Sequence, residues 1–274
     1  MNIPRKLHQI WYQGSANISD NGKICQNTVK KINNDWDYIL WDEAAINNLV
    51  EKDYAWFKPY FNQDTNMIQK IDLAKYLILH KYGGIYVDMD FIAMENFNKL
   101  LEKIVTEDLN SVYECQYPNI ILTEEYPLSS QFPKTYSNAI MISSENHPFW
   151  LTLFNYFINN KNYNNKDSDQ IVYKRTGPDF LFNVVKRNIK YFNDILILTH
   201  EYLCPCTALT NDKQICVFNG ENTLDKFCQT IPFGGGWQSP IIHNDLQYTL
   251  KHIDQLYPNS YCMHLNLGEW KNKK

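Results

Sequence analysis

The sequence lacks most features that would take it outside the ordinary globular class. Glycine is scarce, ten in 274 residues, and neither an internal repeat nor a low-complexity linker interrupts the chain. No run of Lys or Arg exceeds Lys271-Asn272-Lys273-Lys274 and the net charge is −4, so the electrostatic footprint of a nucleic-acid binder is missing and no nucleic-acid partner is expected. No uncharged apolar stretch is long enough to span a bilayer, so no transmembrane segment is expected. Met1-Asn2-Ile3-Pro4-Arg5 lacks the basic-then-apolar pattern of a signal peptide. The seven cysteines are an odd number without framework spacing, and Cys204-Pro205-Cys206 is the one close pair. Neither a disulfide scaffold nor a zinc site is indicated, and a reducing, cytoplasmic setting is expected.

What is present suits a folded domain. Hydrophobic residues make up 44% and charged residues 20%, and the length is near the upper limit for a single core, so one domain over residues 1–274 is expected. Residues 6–12 and 38–41 read as strands separated by a Gly/Ser/Asn-rich loop and a short helix, the start of a parallel sheet with crossover helices. Between 64 and 82, Met67, Ile71, Ala74, Leu77 and Ile78 recur at three- and four-residue steps before Gly83-Gly84, which predicts a helix with a glycine stop. The helix feeds Ile85-Tyr86-Val87-Asp88-Met89-Asp90, predicted as a strand ending in carboxylates. Further strands are predicted at 111–116, 138–142 and 195–199, and helices at 148–159 and 178–188, each begun by Pro. The last seventy residues, with Gly234-Gly235-Gly236-Trp237, read as an appended layer or lid.

Asp-x-Asp occurs three times. Asp35/Asp37 flank Trp36 on the approach to a strand and Asp167/Asp169 lie in an Asn/Lys/Ser-rich stretch, so both pairs read as solvated turns. Only Asp88/Asp90 closes an apolar strand. Residues two apart on a strand point to one side, and paired carboxylates repel unless a cation lies between them. Mg²⁺ and Mn²⁺ take such oxygens together with substrate phosphates, the arrangement a nucleotide diphosphate needs.

Asp72-Leu73-Ala74-Lys75-Tyr76 followed by Tyr82-Gly83-Gly84-Ile85-Tyr86-Val87-Asp88-Met89-Asp90 closely resembles the signature of the DXD-containing family 32 glycosyltransferases. Other blocks resemble the same family in the same order: Ile3 to Trp11, Tyr38 to Asp42, Asn138-Ala139-Ile140-Met141 with His147-Pro148-Phe149, Thr176-Gly177-Pro178, and His264 with Gly268-Glu269-Trp270. The resemblance implies a GT-A-like, Rossmann-like α/β fold: a mixed, mostly parallel sheet flanked by helices, with a C-terminal lid and acceptor region. Residues 1–145 or so would bind metal and nucleotide sugar, and about 146–274 would form the acceptor part and lid. The implied activity is metal-dependent, retaining transfer of a hexose from a UDP- or GDP-sugar to a hydroxyl of a glycan or glycolipid, with Mn²⁺ or Mg²⁺ as cofactor.

Position by position, the resemblance implies that Asp90 ligates the metal, that Asp88 touches the ribose or reaches the metal through water, and that His264 closes the metal or phosphate site. Trp270 would cover the diphosphate. Asp72 would hold donor hydroxyls with Lys75 and Tyr76 beside it, Gly83-Gly84 would let the backbone pass close to the donor, His8, Gln9 and Trp11 would line the nucleotide pocket, and Asn138 would contact a sugar. The bland readings stand beside these: Trp11 and Trp41 as core, His8 as a core hydrogen bonder, Tyr86 as sheet packing, His264 as a satisfied histidine, and Asp179 as a helix N-terminal carboxylate. Two departures from the family pattern are visible. Lys75 stands where Arg is usual, a point charge in place of a planar fork, and Leu265 and Glu269 replace a His and a Ser. The altered closing block also fits a catalytically inactive module that binds a sugar nucleotide or glycan. A metal-dependent phosphohydrolase would need a second acidic or His cluster, which is not evident. No catalytic nucleophile stands at a matched position, and a cytoplasmic enzyme of bacterial or viral surface-glycan synthesis is the expected setting.

Overall fold

The computed structural model describes residues 1–63, 66–113, 115, 117–125, 135–160, 169–204 and 258–264. The glycine-rich Gly234–Trp237 stretch, the lid expected from the last seventy residues apart from 258–264, and Leu265, Gly268, Glu269 and Trp270 lie outside them. Nine strands and eight α-helices follow in chain order among these residues: β1 (Lys6–Ile10), α1 (Asp20–Ile32), β2 (Asp37–Trp41), α2 (Glu43–Asp53), α3 (Lys58–Gln63), α4 (Met67–Tyr82), β3 (Gly84–Val87), β4 (Phe91–Ala93), α5 (Phe97–Thr106), β5 (Ser111–Tyr113), β6 (Ile120–Thr123), β7 (Ile140–Ser143), α6 (Pro148–Asn159), α7 (Asp169–Arg175), α8 (Pro178–Asn188), β8 (Ile195–Leu198) and β9 (Cys262–His264).

Seven strands form one sheet in the order β2-β1-β3-β7-β6-β8-β5, and β4 pairs with β9 in a second, two-stranded sheet. Through their pairings β2, β1, β3, β6 and β8 run one way, with β7 and β5 antiparallel. This is the expected mixed, mostly parallel sheet. One edge of it therefore gathers the C-terminal ends of five strands together with the N-terminal end of β7, the place where open α/β sheets bind ligands.

Side chains along each inner strand go alternately to two cores, as the two-residue strand period requires. Tyr86, Met141, Ile120, Leu122, Ile195 and Ile197 join the core under α2, α4, α6 and α8. Ile85, Val87, Ile140, Ile142, Ile121, Leu196 and Leu198 join the other, with Val29 of α1, Phe97 and Leu100 of α5, and Phe91 and Cys262 of the small sheet. A sheet covered on both faces needs near-continuous apolar strands, which Ile-Ile-Leu and Ile-Leu-Ile-Leu supply.

Helix α4 fixes the site from one face. Asn66 caps it through its side-chain oxygen, which accepts from the Ile68 N–H at 2.9 Å, and Gly83 ends it at φ +58°. Gly83 and Gly84 both have positive φ, and a β-carbon on Gly84 would lie 2.2 Å from the Lys6 carbonyl oxygen. At Gly83 it would lie 2.6 Å from the Glu145 nitrogen. The pair is thus demanded by the protein's own backbone where α4 turns into β3. No described helix is long and apolar enough to cross a membrane, and Cys25, Cys115, Cys204 and Cys262 form no disulfide.

Candidate active site

Strand β3 ends at Val87, one residue short of the first carboxylate. The Phe91 N–H donates to the Asp88 carbonyl at 3.3 Å, so Asp88-Met89-Asp90 forms a turn into β4 instead of the continued strand that the sequence predicts. The same carbonyl accepts from the Gln9 side chain at 3.1 Å, and Gln9 in turn accepts from the Tyr38 hydroxyl at 2.9 Å. Asp88 donates its own N–H to the Ala139 carbonyl at 2.8 Å. The turn is therefore anchored from β1 on one side and from the approach to β7 on the other.

Asp88 continues the side of β3 that carries Tyr86, the side on which α4 packs. The Tyr86 hydroxyl donates to one Asp88 oxygen, and the Lys75 ammonium lies 3.0 Å from that oxygen and 3.3 Å from the other. Lys75 also pairs with Asp72 one turn earlier on the helix, at 3.2 Å. Asp72 accepts from the Asn138 amide and from the Thr176 hydroxyl, both at 2.9 Å. Burial works against the Lys75 ammonium, and Asp88 and Asp72 outweigh it, so its pKa is raised and the charge is held. Burial pushes the Asp72 carboxyl upward, opposed by Lys75 and Thr176.

The third side chain arrives from far along the sequence. In the β4–β9 ladder Phe91 stands opposite His264, their rings stack at 4.5 Å with 10° between planes, and His264 Nε2 lies 3.1 Å from an Asp90 oxygen. One ligand atom each from Asp88, Asp90 and His264 falls within 4.8 Å of the others, the single such group among the described residues. Burial lowers the His264 pKa, but Asp90 and then Asp88 pull it up, for a net rise. Two carboxylates and an imidazole are ligands suited to a divalent ion. Asp72, Asp88 and Asp90 set against Lys75 leave a formal charge of −2, which such an ion cancels. The residues fit a divalent metal.

Other expected site residues take different posts. His8 is fully buried: Nδ1 accepts from the Trp41 indole at 3.2 Å and Nε2 bonds the Gly83 carbonyl at 3.0 Å. Both ring nitrogens are committed to the fold, which corrects the expectation of donor contact. Burial lowers its pKa to about 4, against the Gly83 bond that raises it. Gly83 and Gly84 sit at the start of β3, the end opposite Asp88, so their part is to admit the protein's own chain and not a donor. Tyr76 is also fully buried, its hydroxyl donating to the Thr176 carbonyl at 2.7 Å and its ring stacked on Trp150. It supports Asn138 and Thr176 from behind. Trp11 follows β1 on the strand-end edge, half-buried, its backbone N–H donating to the Trp41 carbonyl at 2.9 Å. Trp270 lies outside the described residues. Asp35, from the first Asp-x-Asp, accepts from the Asn96 side chain at 2.8 Å and tethers the start of α5.

Glu125 was not singled out by the sequence. It follows β6 on the same edge, and the charges of His264, Asp179 and Lys75 all act on it. Burial raises its pKa, opposed by a 2.7 Å bond from the Thr135 hydroxyl. Asp179, in the first turn of α8, is likewise raised by burial.

Residues 19–107 match the family description "Glycosyltransferase sugar-binding region containing DXD motif". This span contains Asp72, Lys75, Asp88 and Asp90, and stops before Glu125, Asn138, Thr176 and His264. Inositol phosphoceramide mannosyltransferase 1 of Schizosaccharomyces pombe is 29% identical over 184 residues, 65% of this chain and 50% of its own length. An uncharacterized glycosyltransferase, L373, of Acanthamoeba polyphaga mimivirus is 29% identical over 216 residues, 77% of this chain and 76% of its own. Among solved structures, PaToxG glycosyltransferase matches 69% of this chain and 70% of its own with a TM-score of 0.50 at 20% identity, a likeness of fold. Residues 19–107 thus resemble the sugar-binding region of the DXD glycosyltransferases, and the sheet is of GT-A type, a fold shared with PaToxG glycosyltransferase. The chain resembles the family 32 members as its motifs indicated, and it spans half the length of the fission-yeast relative.

Proposed function

We propose that the chain is a metal-dependent glycosyltransferase that moves a hexose from a UDP- or GDP-sugar to a hydroxyl of a glycan or glycolipid, with retention of configuration. The observation that carries this reading is the meeting of Asp88, Asp90 and His264 within 4.8 Å at the strand-end edge. Mn²⁺ or Mg²⁺ would be held there, and the imidazole in the set favours Mn²⁺. A bound ion supplies positive charge to the departing diphosphate, which gains negative charge as the sugar leaves. Asn138 and Thr176 hold the Asp72 carboxylate by hydrogen bonds behind the site, and Lys75 keeps Asp72 and Asp88 in fixed positions. The fission-yeast relative's name specifies mannose, so mannosyl donors head the panel to be tried.

The test is nucleotide release from UDP- and GDP-sugars with Mn²⁺, beside chelator and Asp90→Ala. Consumption of one donor, lost with chelator and reduced at least about 100-fold in the variant, is the expected result. Donor binding without turnover in the presence of candidate acceptors would instead identify a sugar-nucleotide-binding module, and no binding at all would remove the site assignment. We also propose a cytoplasmic setting, on the odd number and scattered spacing of the cysteines. Recovery of the native protein in a membrane or secreted fraction would overturn that placement.

A further inference from the structure

A chain of side-chain hydrogen bonds reaches the Asp88-Met89-Asp90 turn from the face of the sheet opposite Lys75. It begins on α1, where the Gln26 amide donates to the Tyr38 hydroxyl at 2.8 Å. Tyr38, on β2, donates to Gln9 Oε1 at 2.9 Å. Gln9, on β1, donates through Nε2 to the Asp88 carbonyl at 3.1 Å. That carbonyl can only accept, so the direction of every donation behind it is fixed. The order β2-β1-β3 sets the three carriers side by side, and Leu7 stands opposite both Tyr38 and Ile85 in the ladders. Leu7 and Ile85 belong to the core that holds Val29 of α1, and Tyr38 packs against it. Gln9, two residues after Leu7, faces the same way.

Asp88 is thereby gripped from two faces. Lys75 and the Tyr86 hydroxyl hold its carboxylate on the α4 side, and Gln9 holds its carbonyl on the α1 side. The carbonyl also closes the turn, accepting from the Phe91 N–H at 3.3 Å. In a turn of this span the first carbonyl and the fourth N–H fix the two residues between them, and Asp90 is one of those two. The Asp90 oxygen that lies 3.1 Å from His264 therefore depends on where the Asp88 carbonyl points. Gln9 is fully buried with both ends of its amide engaged, which suits a residue that holds the turn and not one that meets a donor. Burial pushes the Tyr38 hydroxyl up to about 12, against the Gln26 bond that lowers it, so at neutral pH it stays a donor.

Resting on the metal site proposed above, we infer that Tyr38 is a positioning residue for that site: through Gln9 it sets the Asp88 carbonyl, hence the spacing of Asp88 from Asp90 and the size of ion the pair accepts. Tyr38 itself touches no ion. A turn gripped on both faces presents a fixed spacing, which favours ions that ask for regular geometry at short range, about 2.0–2.1 Å for Mg²⁺. Ca²⁺ accepts about 2.3–2.6 Å and an irregular set of oxygens. Loosening the relay should cost Mn²⁺ or Mg²⁺ more than Ca²⁺, whereas a plain loss of stability has no preference between ions.

The experiment follows free Mn²⁺ by electron paramagnetic resonance, alone and with Ca²⁺ as competitor, beside urea midpoints in chelator. It compares wild type, Tyr38→Phe, Gln9→Met, the double variant and Tyr54→Phe. Tyr54→Phe is the control, since it removes a buried hydroxyl that donates to the Leu77 carbonyl at 3.1 Å, with no route to the turn. Gln9→Met is expected to weaken Mn²⁺ binding by about 10- to 100-fold and Tyr38→Phe by about 5- to 10-fold, each with a fall of at least about threefold in preference for Mn²⁺ over Ca²⁺. Because Tyr38 acts through Gln9, adding Tyr38→Phe to Gln9→Met should change Mn²⁺ affinity by less than about twofold. Tyr54→Phe should lower the urea midpoint and leave Mn²⁺ affinity within about twofold of wild type. Wild-type Mn²⁺ affinity in folded Tyr38→Phe, additive losses in the double variant, equal losses for the two ions, or the same loss in Tyr54→Phe would each overturn the inference. If Gln9→Met does not fold, the ion preference of Tyr38→Phe against that of Tyr54→Phe decides. A wild-type protein that binds no Mn²⁺ overturns the metal reading itself, an outcome seen before any variant is made.

Discussion

Lys75 lies within 3.3 Å of oxygens on two carboxylates and is almost completely buried, so the balance of charge around Asp88 depends on one ammonium. Replacing it by Met removes the cation and leaves Asp72 and Asp88 facing each other beside the metal set. Breaking a buried pair from one side costs about 3–5 kcal/mol, and Lys75→Met is expected to lose stability on that scale in a urea titration. An unchanged midpoint would show that solvent already neutralises the pair. His8 makes a second residue-scale prediction. Its pKa falls from 6.5 in the unfolded chain to about 4 in the fold, so folding favours the neutral ring. The resulting stability is complete above pH 6.5 and is lost as pH falls toward 4, amounting to up to about 3 kcal/mol. Denaturation midpoints of wild type and His8→Gln across that window test it: the wild-type curve should fall more steeply with acid.

At the scale of elements, Gly84 and Gly14 separate two consequences of positive φ. Gly14 has φ +83° with nothing within 4 Å of where a β-carbon would stand, and Gly84 has φ +89° with a carbonyl oxygen in the way. Gly14→Ala should cost about 1–2 kcal/mol, the backbone term alone. Gly84→Ala must also force β3 away from β1 and should cost more than about 3 kcal/mol. Equal losses for the two variants would show that the contact between β1 and β3 relaxes freely. The same elements show which parts of the fold were legible. The strands Lys6–Ile10 and Asp37–Trp41 and the helix Met67–Tyr82 were legible because their periodicity and their Gly or polar stops agree, although the first strand stops two residues earlier than expected. Ile120–Thr123 passed unnoticed although Ile195–Leu198, equally buried on both faces, reads as a strand, and Phe91–Ala93 because three residues are too few to show a period. Helix α5 did carry a signal, Asn96 as cap before Phe97, Leu100 and Ile104. Asp88 and Asp90 stood out by context, although a turn and not a strand brings them together. Glu125 had no such signal, since its surroundings are assembled from β9, α4 and α8 and no local sequence pattern records them.

For the whole molecule, the metal set ties the main sheet to the two-stranded one: Asp88 belongs to the end of β3, and His264 to β9. An ion that binds only the folded state stabilises it by about 2.7 kcal/mol at a hundred times its dissociation constant. Mn²⁺ is therefore expected to raise the melting temperature of wild type and to leave Asp90→Ala unmoved. A shift of equal size in both proteins would place the ion elsewhere.

His264 reaches Asp90 only because residues 262–264 add a strand to β4, and more than a hundred and seventy residues of chain separate the two. During synthesis, then, the helix and strands that present Asp72, Lys75, Asp88 and Asp90 emerge from the ribosome long before their last partner does. A nascent chain stopped short of β9 would carry the acidic motif without the imidazole beside it. The ability to grip an ion is in this way deferred until residues 262–264 have been made.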